Sequence, residues 1–183
     1  MYIYASSLYA GMKNILFLFL LFICTNAAFG QTLKKYAIAN SGCSAMFACN
    51  PGKFETSTSP DSSVVYTGEC TSAGATYDLI CVKLKESAPN PDIAEQVLEQ
   101  YLDYLKSSYE VTEAAGYTKG LRLQKKETTR GILDSWKDKD NNYIKVKGWT
   151  NGRFIAVLMA ISQKELPAAK INPFLDGIVF PGK

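Results

Sequence analysis

The stretch YIKVKGWTNGRFIAVLMAI, residues 143–161, decides the fold of this chain. At its centre, Asn151-Gly152 is the strongest short signal for a β-hairpin, because both residue types tolerate the positive φ angles of a tight turn. A two-residue turn pairs Thr150 with Arg153. The stretch therefore predicts two antiparallel strands joined at Asn151-Gly152.

The two strands of this hairpin carry different patterns. Residues 153–161 are apolar on both faces, which predicts a central strand covered on both sides. Residues 143–150 place lysines on one face, which predicts a position nearer an edge of the sheet. The predicted core face of the hairpin comprises Ile144, Val146, Ile155, Val157 and Met159.

The rest of the chain supplies further strands. Runs rich in β-branched and aromatic residues, bounded by turn signals, predict strands at 44–49, 64–67, 76–82 and 132–136. The polar stretch TSTSPDSS, residues 56–63, is predicted to be a loop.

One helix is predicted to begin at Pro91, with Asn90 as its N-cap. Its apolar positions form a broad stripe of the kind that packs on a sheet, comprising Ile93, Ala94, Val97, Leu98, Tyr101, Leu102 and Leu105. A shorter helix is predicted over 164–176. The order of elements predicts a single α+β domain over 31–183, an antiparallel sheet of about six strands layered with helices.

Three phrases of the sequence carry a resemblance to a known family: FACNPGK (47–53), the hairpin around Asn151-Gly152, and NPFLDGIVF (172–180). In these phrases the chain resembles the PsbP-like superfamily, which includes the extrinsic photosystem II protein, the Ran-binding nucleotide-release factor and exported bacterial proteins of the DcrB type. The resemblance implies an antiparallel sheet between helical layers, and relatives that bind proteins rather than catalyse. The matching positions belong to the scaffold, so no functional residue transfers.

Residues 1–30 have the features of a secretory signal peptide. Nine consecutive apolar residues, 15–23, follow Lys13 and precede a small-residue site at 28–30, and Met12 is the more natural start. A helix needs about 20 apolar residues to cross a bilayer, so no transmembrane span is predicted in the mature chain. The chain is therefore predicted to be secreted or periplasmic.

Two alternatives for the leader stay open at this point. One is a retained membrane anchor. The other is a lipoprotein acylated on Cys24, which ends the apolar run. Bacterial lipoprotein signals have a small residue before that cysteine, and Ile23 is not small, so cleavage after Gly30 is preferred.

Four cysteines follow the leader: Cys43, Cys49, Cys70 and Cys81. An even number in an exported chain predicts two disulfides, in preference to a metal site or free buried thiols. In one extended strand Cys43 and Cys49 lie roughly 20 Å apart, whereas a disulfide needs Cα atoms about 5.5 Å apart. Two pairings remain open: Cys43–Cys70 with Cys49–Cys81, or Cys43–Cys81 with Cys49–Cys70.

The composition excludes several kinds of chemistry. None of the 183 residues is histidine, so Ser-His-Asp and Cys-His catalysis and imidazole metal ligands are excluded. A net charge of +3 is too small to indicate a nucleic-acid binder. No cofactor or metal is predicted, because Asp138-x-Asp140-x-Asn142 opens like an EF-hand loop but continues with Tyr143 and Trp149 where the motif needs Gly and Glu.

Carboxylates suited to acid–base catalysis are scarce. Asp134, Asp138 and Asp140 cluster in or near a polar turn. Asp78, within its strand, is the one carboxylate in an apolar context.

A basic and aromatic surface is the candidate binding site that the sequence offers. Its residues are Arg122, Lys126, Trp136, Tyr143, Lys145, Lys147 and Trp149. Such a surface suits anionic lipid or glycan. The alternative is a solvated strand face whose long side chains cover apolar neighbours, with Trp136 in the core.

The sequence therefore predicts an exported, non-catalytic binding or accessory module of the cell envelope, with a protein or envelope component as its partner. One alternative is a lipid-anchored protein that binds membrane or glycan through the basic aromatic face. The second is an enzyme that works without histidine.

Overall fold

The computed structural model describes residues 32–182, which form an eight-stranded antiparallel sheet, a two-stranded ribbon and two helices. In chain order the elements are β1 (Lys34–Ala37), β2 (Ser44–Phe47), β3 (Glu55–Thr58), β4 (Val64–Ser72), β5 (Ala75–Lys83), α1 (Pro91–Ser108), β6 (Val111–Ala114), β7 (Thr118–Leu121), β8 (Arg130–Asp138), β9 (Tyr143–Thr150), β10 (Phe154–Ser162) and α2 (Ala168–Leu175). The predicted antiparallel α+β fold is confirmed. The predicted signal peptide and Cys24 lie outside the described residues.

The large sheet has the strand order β3-β4-β5-β10-β9-β8-β6, with β7 also paired to β8, while β1 and β2 pair with each other. It has eight strands rather than about six because its short edge strands carry no apolar alternation. All four residues of β3 are exposed, for example. The prediction that 56–63 is entirely loop is therefore wrong, since β3 occupies part of it.

The hairpin β9–β10 lies at the centre of the sheet. Strand β10 lies between β5 and β9, as its apolar pattern predicts. Strand β9 lies one place nearer the β6 edge than β10 does, but it is an interior strand, because β8 pairs with its other side. Its lysines are accommodated by polar partners: Lys145 Nζ donates to Ser135 Oγ at 2.6 Å, and Lys147 Nζ donates to Asp176 Oδ1 at 2.7 Å.

The register of this hairpin differs from the prediction by two residues. Thr150 lies opposite Ile155, not opposite Arg153. The Asn151 side chain closes the loop, since its Oδ1 accepts hydrogen bonds from the backbone N–H groups of Arg153 at 3.0 Å and Phe154 at 2.9 Å. Because the shift is even, every side chain stays on its predicted face.

Helix α1 begins as predicted. Asn90 Oδ1 accepts hydrogen bonds from the N–H groups of Asp92 at 3.1 Å and Ile93 at 2.9 Å, and Pro91 needs no hydrogen-bond acceptor. The helix packs on β8 and β9 through its buried residues Ala94, Leu98, Leu102 and Leu105. The rest of the apolar stripe is only partly covered.

Each face of the sheet has its own core. On the face toward α1, the core includes Leu98, Leu102, Ile132, Trp136, Ile144, Val146, Val157 and Met159. On the opposite face, the β1–β2 ribbon and α2 enclose a second core that includes Phe47, Tyr77, Leu79, Trp149, Leu158, Ile171 and Phe174. Strand β10 contributes to both cores, which explains its continuous apolar run.

A disulfide joins the ribbon side of the fold to the sheet. Cys49, just after β2, is bonded to Cys70 on β4. This excludes the pairing of Cys43 with Cys70. The structure departs from the prediction of two disulfides, because Cys43 and Cys81 are free, buried thiols.

The two free thiols are neighbours in the core. A hydrogen bond from the Cys81 thiol lowers the pKa of Cys43, in spite of burial. The same contact, together with burial, raises the pKa of Cys81. The pair is thus enclosed without a solvent-facing sulfur.

Replacing Cys49 and Cys70 together with serine should lower the free energy of unfolding by about 3 kcal/mol, because the disulfide closes a loop that the unfolded chain otherwise opens. The loop spans a sequence separation of 21 residues. Urea titration followed by circular dichroism measures the change. A reductant should destabilise the wild type and leave the double variant unaffected; equal stability of the two proteins without reductant would contradict the prediction.

Candidate functional site

The seven residues of the predicted basic aromatic surface do not share one exposed face. Three of them are buried: Trp136, Lys147 and Trp149. Trp136 belongs to the core under α1, and Trp149 belongs to the core on the opposite face of the sheet. The prediction of a single basic aromatic face is therefore wrong for these residues.

Helix α2 and the residue that follows it explain the burial of Lys147 and Trp149. The indole Nε1 of Trp149 donates to the carbonyl oxygen of Leu175 at 2.8 Å. The side chain of Lys147 forms an ion pair with Asp176 at 2.7 Å, and its ammonium also lies over the Trp149 ring. Lys147 is only 8% exposed, so it anchors the C-terminal segment rather than facing a ligand.

Trp136 lies in the core. This was the alternative to its prediction as an exposed binding residue. Its indole Nε1 donates to Asp134 Oδ2 at 2.7 Å, and Asp134 is buried with it. Asp134 therefore does not lie in the solvated turn where the sequence placed it, because β8 extends to Asp138.

The other four residues lie at two separate places. Tyr143 and Lys145 border a hollow of about 120 Å³ next to α2. Lys126 borders a different hollow of about 390 Å³ between the first residues of α1 and the C-terminal segment. Arg122 is paired with Glu127 at 2.7 Å.

The turn after β8 is closed by hydrogen bonds to the Asp138 carboxylate. Asp138 accepts hydrogen bonds from the N–H groups of Asp140 at 2.9 Å and Asn142 at 2.8 Å, and from the Asn142 side chain at 2.8 Å. Partial burial opposes ionisation, but these hydrogen bonds outweigh it and lower the pKa of Asp138. Across residues 32–182 no group of three acidic or cysteine side chains is placed to hold a metal ion.

A groove beside α1 is the site that the structure offers instead. Helix α1 covers β8 and β9, but the strands on the other side of β10 continue past its flank. Two adjoining hollows of about 450 and 360 Å³ follow this flank and share Asp61, Ser63, Leu84 and Val97. We call them together the tyrosine groove, whose larger apolar lining residues include Val65, Val82, Leu84, Ile93, Val97, Tyr101 and Tyr104.

One wall of the groove is apolar because the apolar stripe of α1 is wider than the part of the sheet that the helix covers. Ala94, Leu98 and Leu102 are fully buried on the sheet, whereas Ile93 is 36% exposed and Tyr104 is 64% exposed. Tyr101 and Tyr104 lie one beside the other, with their ring centroids 6.1 Å apart. These rings form the wall of the groove that faces β4 and β5.

A carboxylate on β5 contacts Tyr109, the residue that follows the last turn of α1. The hydroxyl of Tyr109 donates a hydrogen bond to Asp78 Oδ2. Burial raises the pKa of Asp78 in spite of this hydrogen bond. Burial also raises the pKa of Tyr101 to about 12, so its phenol stays neutral. Asp78 is the carboxylate that the sequence distinguishes by its apolar context, and the structure places it beside Tyr109, outside the residues that line the groove.

The groove itself was not predicted from the sequence. The width of the apolar stripe on α1 was the sequence feature that could have indicated it. Ile93, Val97 and Tyr101 make the stripe wider than the row of residues that the helix buries on the sheet. The pattern shows that these residues are apolar, but not which strands lie under them.

None of the described helices is both long and apolar enough to span a membrane.

Comparisons with known proteins add a likeness of fold. No family model matches the chain, and no curated protein matches it. Among solved structures, the chain is similar to that of cyanobacterial PsbP (CyanoP) from Synechocystis sp. PCC 6803, with 12% identity, 86% of this chain and 96% of that chain covered, and a TM-score of 0.43. This is a weak PsbP-like resemblance of fold, and no residue's role follows from it.

Proposed function

We propose that this chain is an exported, non-catalytic binding or accessory module of the cell envelope, and that it docks a helix of a partner protein in the tyrosine groove. The features of residues 1–30 support export. The Cys49–Cys70 disulfide also supports it, because structural disulfides persist in oxidising compartments.

The observation that carries the binding role is the incompletely covered apolar face beside α1. Among residues 32–182, three large hydrophobic side chains are exposed, and Ile93 and Tyr104 both border the groove. Clustered exposed apolar side chains in a soluble protein commonly mark an interaction site.

The shape of the groove favours a helix as the occupant. Its floor is the sheet surface of β4, β5 and β10, and one wall is the flank of α1. A second helix beside α1 would extend the helical layer over these strands in the way that α1 covers β8 and β9. Docking of an amphipathic helix in an apolar groove is a recurring mode of peptide recognition.

Export is tested by the mass of the mature protein isolated from its native host. We expect an N-terminus at Gln31, produced by cleavage after Gly30. If the mature protein instead begins at an acylated Cys24, the exported module is anchored to a membrane by lipid rather than free. An intact leader on a cytosolic protein would refute the proposal.

Docking is tested by photo-crosslinking in the native envelope, with a benzophenone side chain at position 104 or, as the matched control, at position 143. Tyr104 and Tyr143 are both exposed tyrosines, but only Tyr104 borders the groove. We expect one identified protein to be captured from position 104 and not from 143, with the crosslinked peptide lying in a helix of that protein. Equal capture from both positions, or none from 104, would refute docking in the groove.

A further inference from the structure

We propose that the helix bound in the tyrosine groove is basic, with lysine or arginine residues flanking its apolar face. This inference rests on the docking proposed above and names the chemistry of the partner. The observation behind it is a set of five carboxylates without cationic partners, of which two border the groove and three lie on the same face of the neighbouring strands.

The strand register places three of these carboxylates on the α1 side of the sheet. Glu69 lies opposite Asp78, and Asp78 faces α1 because it accepts the hydrogen bond from Tyr109. Glu55 lies opposite Thr67, which in turn lies opposite Ile80, a residue of the core under α1. Directly paired residues point to the same side of a sheet, so Glu55 also lies on this face.

Two further carboxylates lie along the groove at its other end. Asp61 borders both hollows, and hydrogen bonds from the hydroxyls of Ser59 and Ser63 lower its pKa to about 2, so it stays ionised. Glu86 borders the larger hollow together with Lys85, the one cation among the lining residues.

On the opposite flank of α1, the acidic side chains form ion pairs with cations of the same chain. There Glu99 pairs with Lys119 at 2.6 Å, Asp103 with Lys106 at 3.3 Å, and Asp92 with Arg130 at 3.2 Å. In contrast, no ion pair among the described residues includes any carboxylate of the groove set, Glu55, Asp61, Glu69, Asp78 and Glu86.

The imbalance is local, because the whole chain carries more cations than acids, 20 against 17. A basic helix would supply the missing countercharges along the groove while its apolar face covers Ile93, Val97 and Tyr104. Complementary charge of this kind selects partners of the opposite charge and disfavours partners of like charge.

The test uses the full mature protein and two synthetic amphipathic peptides of about 18 residues, roughly the length of α1. Both peptides carry leucines at helical spacing, and their polar positions are all lysine in one and all glutamate in the other. We expect the lysine peptide to bind at least about 10-fold more tightly than the glutamate peptide in isothermal titration. Its affinity should fall severalfold when salt rises from about 50 to about 500 mM.

Charge reversal at one position then locates the binding. Glu69→Lys should weaken the lysine peptide about 5- to 10-fold, because it replaces one carboxylate of the set with a cation that repels the peptide and can pair with Asp78 opposite it. Glu165→Lys is the matched control, with the same change in net charge at an exposed acid next to α2 that, like Glu69, forms no ion pair among the described residues. We expect less than about a 2-fold effect from the control.

The outcomes separate the two proposals. Equal affinity for both peptides, or a lysine peptide insensitive to Glu69→Lys, overturns the basic partner and leaves docking in the groove intact. Binding of neither peptide, while photo-crosslinking from position 104 captures a non-helical segment, overturns both. Self-association of the mature protein through the groove in sedimentation, abolished by Tyr104→Asp, also overturns the basic partner, because the occupant is then a second copy.

Discussion

Trp149→Ala should lower the free energy of unfolding by about 4 kcal/mol, the range typical of a large aromatic side chain removed from a core. Trp149 is 3% exposed. Its ring lies flat against Gly131, where an added Cβ would come within 2.3 Å of Trp149 Cζ3. The substitution removes this packing and the hydrogen bond to Leu175. Urea titration followed by far-ultraviolet circular dichroism measures the loss.

Two further variants make the result specific. Trp149→Phe keeps most of the apolar volume and loses the indole hydrogen bond, so it should cost about 1–2 kcal/mol. Tyr143→Ala, on the same strand but at an exposed position, should cost about 0.5 kcal/mol. A loss below about 1 kcal/mol for Trp149→Ala would mean that the residue is on the surface, as the sequence pattern first indicated.

The faces of the central hairpin were predictable because they depend on local alternation. Val146 and Val157 belong to the core under α1, as their positions in the sequence require. The register was not predictable from alternation, since a shift of two residues preserves both faces. It depends on Asn151, whose side-chain hydrogen bonds to the backbone set the length of the loop.

The binding surface was mispredicted for a non-local reason. Alternating lysines and aromatic residues on β9 match a solvated strand face. What covers that face is the end of α2, and Asp176 lies 29 residues after Lys147 in the chain. Neither the strand nor the helix alone indicates that they meet.

The groove depends on the same kind of information. The stripe on α1 reveals a helix that packs on a sheet, and the N-cap at Asn90 fixes where it begins. Which strands the helix covers follows from the strand order, in which β10 separates β9 from β5. Asp78 could be distinguished by its apolar context, but its place beside Tyr109 required the three-dimensional structure.

Asp134→Ala should also destabilise the fold by about 4 kcal/mol, because it leaves the buried indole N–H of Trp136 and two part-buried backbone N–H groups without an acceptor and removes the buried partner of Lys106. The Asp134 carboxylate accepts hydrogen bonds from the N–H groups of Gly116 at 2.9 Å and Ser135 at 2.7 Å, and from the indole of Trp136 at 2.7 Å. The ammonium of Lys106 lies 3.7 Å from the same carboxylate. One side chain thus connects β8, the segment before β7 and helix α1, and its loss should also loosen the segment around Gly116.

Two measurements test this role of Asp134. Urea titration gives the stability, with Asp140→Ala as the control, because Asp140 is exposed in the neighbouring turn and its substitution should change stability by less than about 0.5 kcal/mol. Amide hydrogen exchange gives the local effect, and we expect faster exchange at Gly116 and Ser135 than at the core of β10. The role assigned to Asp134 would be refuted by a variant as stable as the Asp140 control, since a carboxylate replaced at no cost does not hold these elements together.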